Sequence, residues 1–364
     1  MIHYAGKPGF GFGWGMANRY LIQELSQLAE VVPLDDTHPL WTCQDLPGDL
    51  FVPLQDHDFN PSAPCRGRRN FAYTFFELEL TDAAKDNAKR YDLVFAGSSW
   101  CLARMREKGI HNAALLIQGI DPALHLPGTS TRTDEEFLIF SGGKFEFRKG
   151  QDLVIIAFRE LQDRYPNMTL VASWFNFWPD SLQSMAMSPY LRWEWSGSDY
   201  EDQMNHLLEI NGIRPGRVKV LPLLAPEKLV EVYRATDLGV FPNRCEGGTN
   251  LVMMEYMACG KPVIASYTSG HRDIVTENNA YPLVDLESLE ISDSDDKLVA
   301  RWEEPRVQDI VAMIEHAYHN RHAATIRGAR AAADLKRLTW RHTADFLFSK
   351  MSLVPPEHPL LLFV

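Results

Sequence analysis

Short apolar runs separated by longer amphipathic stretches recur along this chain, break off once, and then resume. That alternation constrains the fold strongly, because parallel strands must be joined by a crossover and the crossover is usually a helix. In the first stretch, residues 2–5, 31–34, 71–76, 93–96 and 114–117 read as strands, with helices over 16–28, 82–90 and 100–108. Residues 119–133, with two prolines, two glycines and a Ser/Thr-rich end, have the composition of a linker. Strands resume at 137–140, 168–173, 218–221, 238–241 and 263–265, with helices at 151–165, 226–235 and 251–259. Residues 307–351 read as helix almost throughout. The fold class that follows is α/β, two Rossmann-like domains facing across a cleft, with boundaries at 1–125 and 134–340. Ligands in such sheets bind beyond the carboxyl ends of the strands, and the cleft is the default site.

Composition narrows the function. The 364 residues exceed the roughly 150 of one ordinary domain, and 45% hydrophobic with 23% charged residues supports a core in each half. A net charge of −12 and a pI near 5.5 repel phosphate backbones, which excludes nucleic acid as a partner and disfavours anionic membranes. Peripheral membrane contact has no support in the sequence. Arg66, Arg68 and Arg69 form a short basic cluster, read as a solvated loop. Five scattered cysteines, without CxxC or Cys/His spacing, fit free thiols in a reducing compartment. With no signal-like N-terminus and no apolar run of about 18 residues, the expected location is cytoplasmic.

Three stretches carry candidate chemistry. Gly9, Gly11, Gly13 and Gly15 follow the first strand and precede a helix. A flexible turn and a phosphate or sugar contact account for them equally. Phe140-Ser-Gly142-Gly143-Lys144-Phe-Glu-Phe-Arg148-Lys149-Gly ends a strand and opens a helix. Cations ordinarily avoid a helix N-terminus, so lysines and an arginine there point to an anion, and a leaving diphosphate is one that they neutralise without a metal. The strongest stretch runs from Asp237 to Ser266 as strand, loop, helix, glycine cap and strand. In it Glu246 precedes Gly247, Gly248, Thr249, Asn250 and Leu251, whose backbone amides suit phosphate and sugar hydroxyls. Glu255 lies inside the helix among apolar neighbours, where a ribose diol or backbone amides would satisfy its carboxylate.

With those residues in view, the sequence resembles the retaining family-4 glycosyltransferases of the GT-B fold. Glu255-Tyr-Met-Ala-Cys-Gly-Lys-Pro-Val-Ile matches the second half of that family's paired-glutamate stretch. Gln118-Gly-Ile-Asp121, Tyr233-Arg-Ala-Thr-Asp237, Ser269-Gly270 with Asp273, Trp302-Glu-Glu-Pro305 and Thr339-Trp340 resemble further family segments in order. The last two resemble its C-terminal helices. Phe75-Phe-Glu77 and Ser98-Ser-Trp100 resemble its acceptor-side strands more loosely.

The resemblance implies that Lys149 neutralises the donor diphosphate, Glu255 holds the ribose, Glu246 contacts the transferred sugar, and Gly15 meets the donor from the other half. It implies acceptor contacts from Glu77 and Ser98, and residues 341–364 returning as a helix and tail to the first domain. It also implies front-face transfer from a UDP- or GDP-sugar to a carbohydrate, lipid-linked or small-molecule acceptor, with no metal or other cofactor and no side-chain nucleophile. Two departures stand out. Eight residues, rather than seven, separate Glu246 from Glu255, so Gly247 competes for the first glutamate's place. Lys144 stands where an arginine is common, and a lysine lacks the planar fork that grips phosphate.

The Asp-x-Asp within residues 293–296 reads as a solvated acidic loop. Trp174, Phe175, Phe177, Trp178, Trp193 and Trp195 make an aromatic insert that either packs or stacks on sugars. The competing readings are an epimerase or phosphorylase on the same fold, and a non-catalytic sugar-nucleotide-binding module.

Overall fold

The computed structural model describes residues 1–128, 135–195 and 199–355. Most of the linker's Ser/Thr-rich end, the start of the second domain at 134 and the apolar tail 356–364 lie outside the described residues. The chain divides into two compact units. One comprises Met1–Gly119, Gly247–Thr249 and the stretch from Leu338, and the other Ile120–Glu246 and Asn250–Arg337.

The first unit holds β1 (Ile2–Tyr4), α1 (Gly13–Leu25), β2 (Val31–Pro33), β3 (Asp49–Leu54), β4 (Asn70–Thr74), α2 (Asp82–Ala88), β5 (Leu93–Ala96), α3 (Ser99–Glu107) and β6 (Ala113–Leu115). Its sheet runs β2-β1-β3-β4-β5-β6, with every pairing parallel. Strands covered on both faces need apolar residues on both, which is why β5 reads Leu-Val-Phe-Ala without alternation. Helices α2 and α3 begin where Thr81 and Ser98 accept hydrogen bonds from the amides of Ala84 and Cys101. β3 was not expected from the sequence. Pro53 interrupts its apolar run, and a proline argues against a central strand, yet β3 lies between β1 and β4.

The second unit holds β7 (Phe137–Gly143), α4 (Gln151–Leu161), β8 (Met168–Trp174), α5 (Tyr200–Ile210), β9 (Val218–Val220), α6 (Pro226–Ala235), β10 (Leu238–Phe241), α7 (Leu251–Ala258), β11 (Val263–Ser266), β12 (Tyr281–Leu283), β13 (Leu286–Ser292), β14 (Leu298–Pro305), α8 (Val307–His319) and α9 (Arg321–Leu335). The parallel order is β12-β11-β10-β7-β8-β9. β13 and β14 form a separate antiparallel hairpin.

Trp302-Glu-Glu-Pro305, expected on a helix, lies on β14 instead. The residues alternate as a strand does, with Ala300 and Trp302 buried and Arg301 exposed between them. The acidic residues 293–296 are the exposed tip of this hairpin, where Asp293 Oδ1 accepts from the amides of Asp295 and Lys297.

α10 (Trp340–Leu353) packs on α1 in the first unit, with Trp340 stacked on Tyr20 at 5.5 Å. Thr343 Oγ1 donates to the Ile117 carbonyl at 2.9 Å. Arg69, read from sequence as solvated, instead pairs with Asp49 and donates to the carbonyls of Met351 and Val354 at 2.7 and 2.6 Å. All five cysteines are free, and four of them are buried. Among the described residues no helix is long and apolar enough to cross a membrane.

Candidate active site

The strand order of the second unit reverses between β7 and β10. Strands β8 and β9 lie to one side of this pair, and β11 and β12 to the other. Crossovers leave such a point in opposite directions, so the loops at the carboxyl ends of the two strands separate and leave room for a ligand. The loop after β7 carries Lys144, Glu146 and a single 3-10 turn, Phe147–Lys149. The loop after β10 carries Asn243 to Asn250 and leads into α7. The two loops touch at Gly150, which has φ 72° and whose missing Cβ would lie 2.2 Å from the Pro242 carbonyl oxygen. No side chain fits there.

Charge is organised along these loops as a chain. Lys144 Nζ lies 2.7 Å from Glu146 Oε1, and Arg148 Nη2 lies 3.4 Å from Glu146 Oε2. Arg148 Nη1 then reaches Glu246 Oε2 at 3.1 Å, and Lys149 Nζ reaches the same oxygen at 2.6 Å. Asn243 Nδ2 also donates to it, at 2.7 Å. Burial alone would raise the Glu246 carboxyl, but Lys149 and Arg148 outweigh it and hold the group at about 2. Burial, aided by Arg148 and opposed by Glu246, lowers Lys149. For Glu146, too, burial is outweighed by Arg148 and Lys144, and its carboxyl lies below the ordinary range. Among the described residues, Lys144, Arg148 and Lys149 thus face the carboxylates of Glu146 and Glu246.

Arg244, which sequence reasoning missed, fixes this geometry. It is fully buried, forks onto both carboxylate oxygens of Asp152 on α4 at 2.8 and 2.7 Å, and also bonds Glu304 on β14 and the Phe147 carbonyl. Its guanidinium lies 3.8 Å from the centre of the Phe147 ring. The Arg244 amide donates to the Arg148 carbonyl at 2.8 Å, so one residue ties the two loops together.

Residues 127–288 match the sequence profile of the family described as glycosyl transferases group 1. This segment is a group 1 glycosyltransferase domain. D-inositol 3-phosphate glycosyltransferase of Rhodococcus jostii is 27% identical over 258 residues, which are 71% of this chain and 46% of that protein. The chain spans about half the length of this curated relative. Among solved structures, sucrose-phosphate synthase from Thermosynechococcus elongatus superposes with a TM-score of 0.67 at 14% identity, covering 96% of this chain and 98% of its own. Anabaena HepE in complex with UDP and glucose gives 0.64 at 13% identity, covering 97% and 99%. These likenesses show the fold, that of the GT-B glycosyltransferases.

Within the group 1 domain the structure brings Gly142, Gly143, Lys144, Arg148, Lys149, Glu246, Asn250, Leu251 and Glu255 into the second unit. Asn250 begins α7 in the left-handed region, with φ 63°. Its Nδ2 donates to His271 Nε2 at 3.1 Å, while His271 Nδ1 lies 3.1 Å from the Ser266 carbonyl. That carbonyl only accepts, which assigns the ring proton to Nδ1. Burial, only partly offset by Glu246, brings His271 down to about 4. Ser269 Oγ accepts from the Glu246 amide at 2.8 Å, and the Gly270 amide donates to the Glu246 carbonyl at 2.9 Å. The sequence signal for Ser269-Gly270 was the motif; for Arg244 and His271 it offered none.

Gly15, Glu77, Ser98, Gly247, Gly248 and Thr249 fall in the first unit. Gly15 lies in the first turn of α1, against the Phe12 ring. Gly247 is gripped by Ser98 Oγ, which donates to its carbonyl at 2.6 Å, and by Glu77 Oε1, which accepts from its amide at 3.2 Å. A Cβ on Gly247 would lie 2.4 Å from the Phe76 carbonyl oxygen. Of the aromatic insert, Trp174 is fully buried, and Trp193 and Trp195 stack on each other against the second unit's core. Phe177 and Trp178 are each 48% exposed.

Proposed function

We propose that this chain transfers a sugar with retention from a UDP- or GDP-sugar to a carbohydrate, lipid-linked or small-molecule acceptor, without a metal. The observation that carries the reading is the chain of Lys144, Arg148 and Lys149 with Glu146 and Glu246 where the strand order reverses. Negative charge grows on the donor diphosphate as the bond to the sugar breaks. Cations fixed in a partly buried site stabilise that charge without reorganising, which is where most of the rate would arise.

On this reading Lys149 and Arg148 meet the diphosphate, with Lys144 at the outer edge. Glu246 holds those cations in place and turns toward the transferred sugar, and Glu255 accepts the ribose hydroxyls. Amides at the start of α7, from Asn250 and Leu251, add donors for phosphate oxygens. Gly142 and Gly143 leave space beside the cations, and Gly15 is assigned to the donor by the family likeness. Glu77 and Ser98 hold Gly247, and acceptor contacts are assigned to their neighbourhood. The departing diphosphate takes the acceptor's proton, so no side-chain nucleophile is required.

Release of nucleoside diphosphate from UDP-glucose and from GDP-mannose, followed in the presence of EDTA, tests the reading. Release that persists in EDTA and disappears in Lys149→Ala supports it. Release that needs added magnesium or manganese contradicts metal independence. Conversion of the sugar without diphosphate release identifies an epimerase.

A further inference from the structure

Four non-glycine residues among those described have a positive φ, and two of them lie in loops that meet at Glu246. Asn250, at 63°, ends the loop after β10, and Ser269, at 43°, lies in the loop after β11. Ser269 Oγ and the Gly270 amide hold the backbone N–H and carbonyl of Glu246. The next residue of that loop, His271, holds the Asn250 side chain.

A left-handed backbone is costly to a residue with a Cβ and persists only where the surroundings impose it. At Asn250 the constraint comes through both ends of the side-chain amide. Its Oδ1 accepts from the Met253 amide at 3.4 Å, and its Nδ2 donates to His271 Nε2 at 3.1 Å. His271 is fully buried, and its Nδ1 is committed to the Ser266 carbonyl at the end of β11. Nε2 is therefore a fixed acceptor, aimed by a core strand. The consequence falls on the backbone, because the torsions at Asn250 set the direction of the Leu251 amide. That group is one of the first-turn N–H donors of α7 that no carbonyl within the helix accepts. Released from His271, Asn250 relaxes toward a negative φ, and the amides at the start of α7 turn with it.

We propose that His271 is a positioning residue. Through the Asn250 side chain it holds the start of α7 in the one conformation that aims its amides at an anionic ligand, the diphosphate of the donor. This rests on the reading that these loops receive a nucleoside diphosphate. The imidazole acts through Asn250 and touches neither phosphate nor sugar.

Glycine adopts a positive φ without a tether, so Asn250→Gly should make His271 dispensable, and a double-mutant cycle in the full chain tests this. Affinities for UDP and GDP are measured by calorimetry in wild type, His271→Leu, Asn250→Gly and the double variant. His271→Leu keeps an apolar side chain but loses the acceptor. Alone, it should weaken binding about five- to tenfold, the scale of the left-handed penalty. In the Asn250→Gly background the same substitution should change affinity by less than about twofold. His271→Gln, whose side-chain oxygen accepts from Asn250, should recover part of the loss. Melting is followed alongside, because a purely structural His271 would cost stability and affinity alike in both backgrounds. An equal loss of affinity in both backgrounds, or none in folded His271→Leu, overturns the role of His271. Loss of binding in Asn250→Gly overturns it too, since the backbone conformation alone would not then suffice. A wild type that binds neither nucleotide overturns the reading of the site, and the proposal with it.

Discussion

Glu146 stands between Lys144 and Arg148 as a carboxylate among the cations assigned to the diphosphate. An anionic ligand must compete with it for both partners. Glu146→Gln removes that competition while keeping the side chain's size. UDP or GDP is then expected to bind roughly three- to tenfold more tightly at low salt, consistent with about 1 kcal/mol for a partly exposed ion pair. Calorimetry at two salt concentrations checks this, and weaker binding would show that Glu146 instead orders the cations.

At this scale the sequence disclosed residue types and left pairings hidden. Lys149 drew attention as a cation at a helix N-terminus, and Glu246 as the residue before the Gly-Gly-Thr-Asn turn. That they meet at 2.6 Å across 97 positions is a property of the strand order. The partners of Glu246 and Gly247 are likewise visible only in three dimensions. Glu246 faces Lys149, while Gly247 turns to Ser98 and Glu77.

Elements were legible where their apolar periodicity was uninterrupted. β5, β10 and α6 lie where the alternation placed them, because buried parallel strands and a proline-started helix have local signatures. β3 was hidden by Pro53. β14 was misassigned because a family likeness outweighed its period of two. The hairpin matters to the site, since Glu304 on β14 bonds Arg244 and the Glu303 amide donates to the Arg244 carbonyl at 3.0 Å. The Arg244–Asp152 pair has no exposed side-chain surface on either partner. Removing one partner strands a buried charge, so Arg244→Leu should lower unfolding stability by about 3–5 kcal/mol. Denaturant unfolding measures it, and a loss below about 1 kcal/mol would mean that solvent reaches Asp152.

For the whole molecule, acid stability follows from two buried groups in the second unit. His271 titrates near 4 in the fold against 6.5 unfolded, so the unfolded chain takes the proton first as pH falls. Its contribution is intact above 6.5 and is lost progressively between 6.5 and 4. Glu246, at about 2 against 4.5, extends the loss from 4.5 downward. Unfolding followed from pH 7 to pH 3 should show stability falling throughout. His271→Gln should flatten the upper part of that fall and leave the lower part, and an unchanged profile would remove His271 as its source.

The central claim is that the basic loop after β7 holds a nucleoside diphosphate. It is tested most directly by the thermal stabilisation of wild type and Lys149→Ala by UDP and GDP. A nucleotide at about 100 times its dissociation constant should add roughly 2.7 kcal/mol of stability. The account predicts a clear shift with one of the two nucleotides, lost in folded Lys149→Ala, whose ligand-free melting lies below wild type because Glu246 loses a buried partner. An equal shift in wild type and Lys149→Ala, or none with either nucleotide, would contradict it.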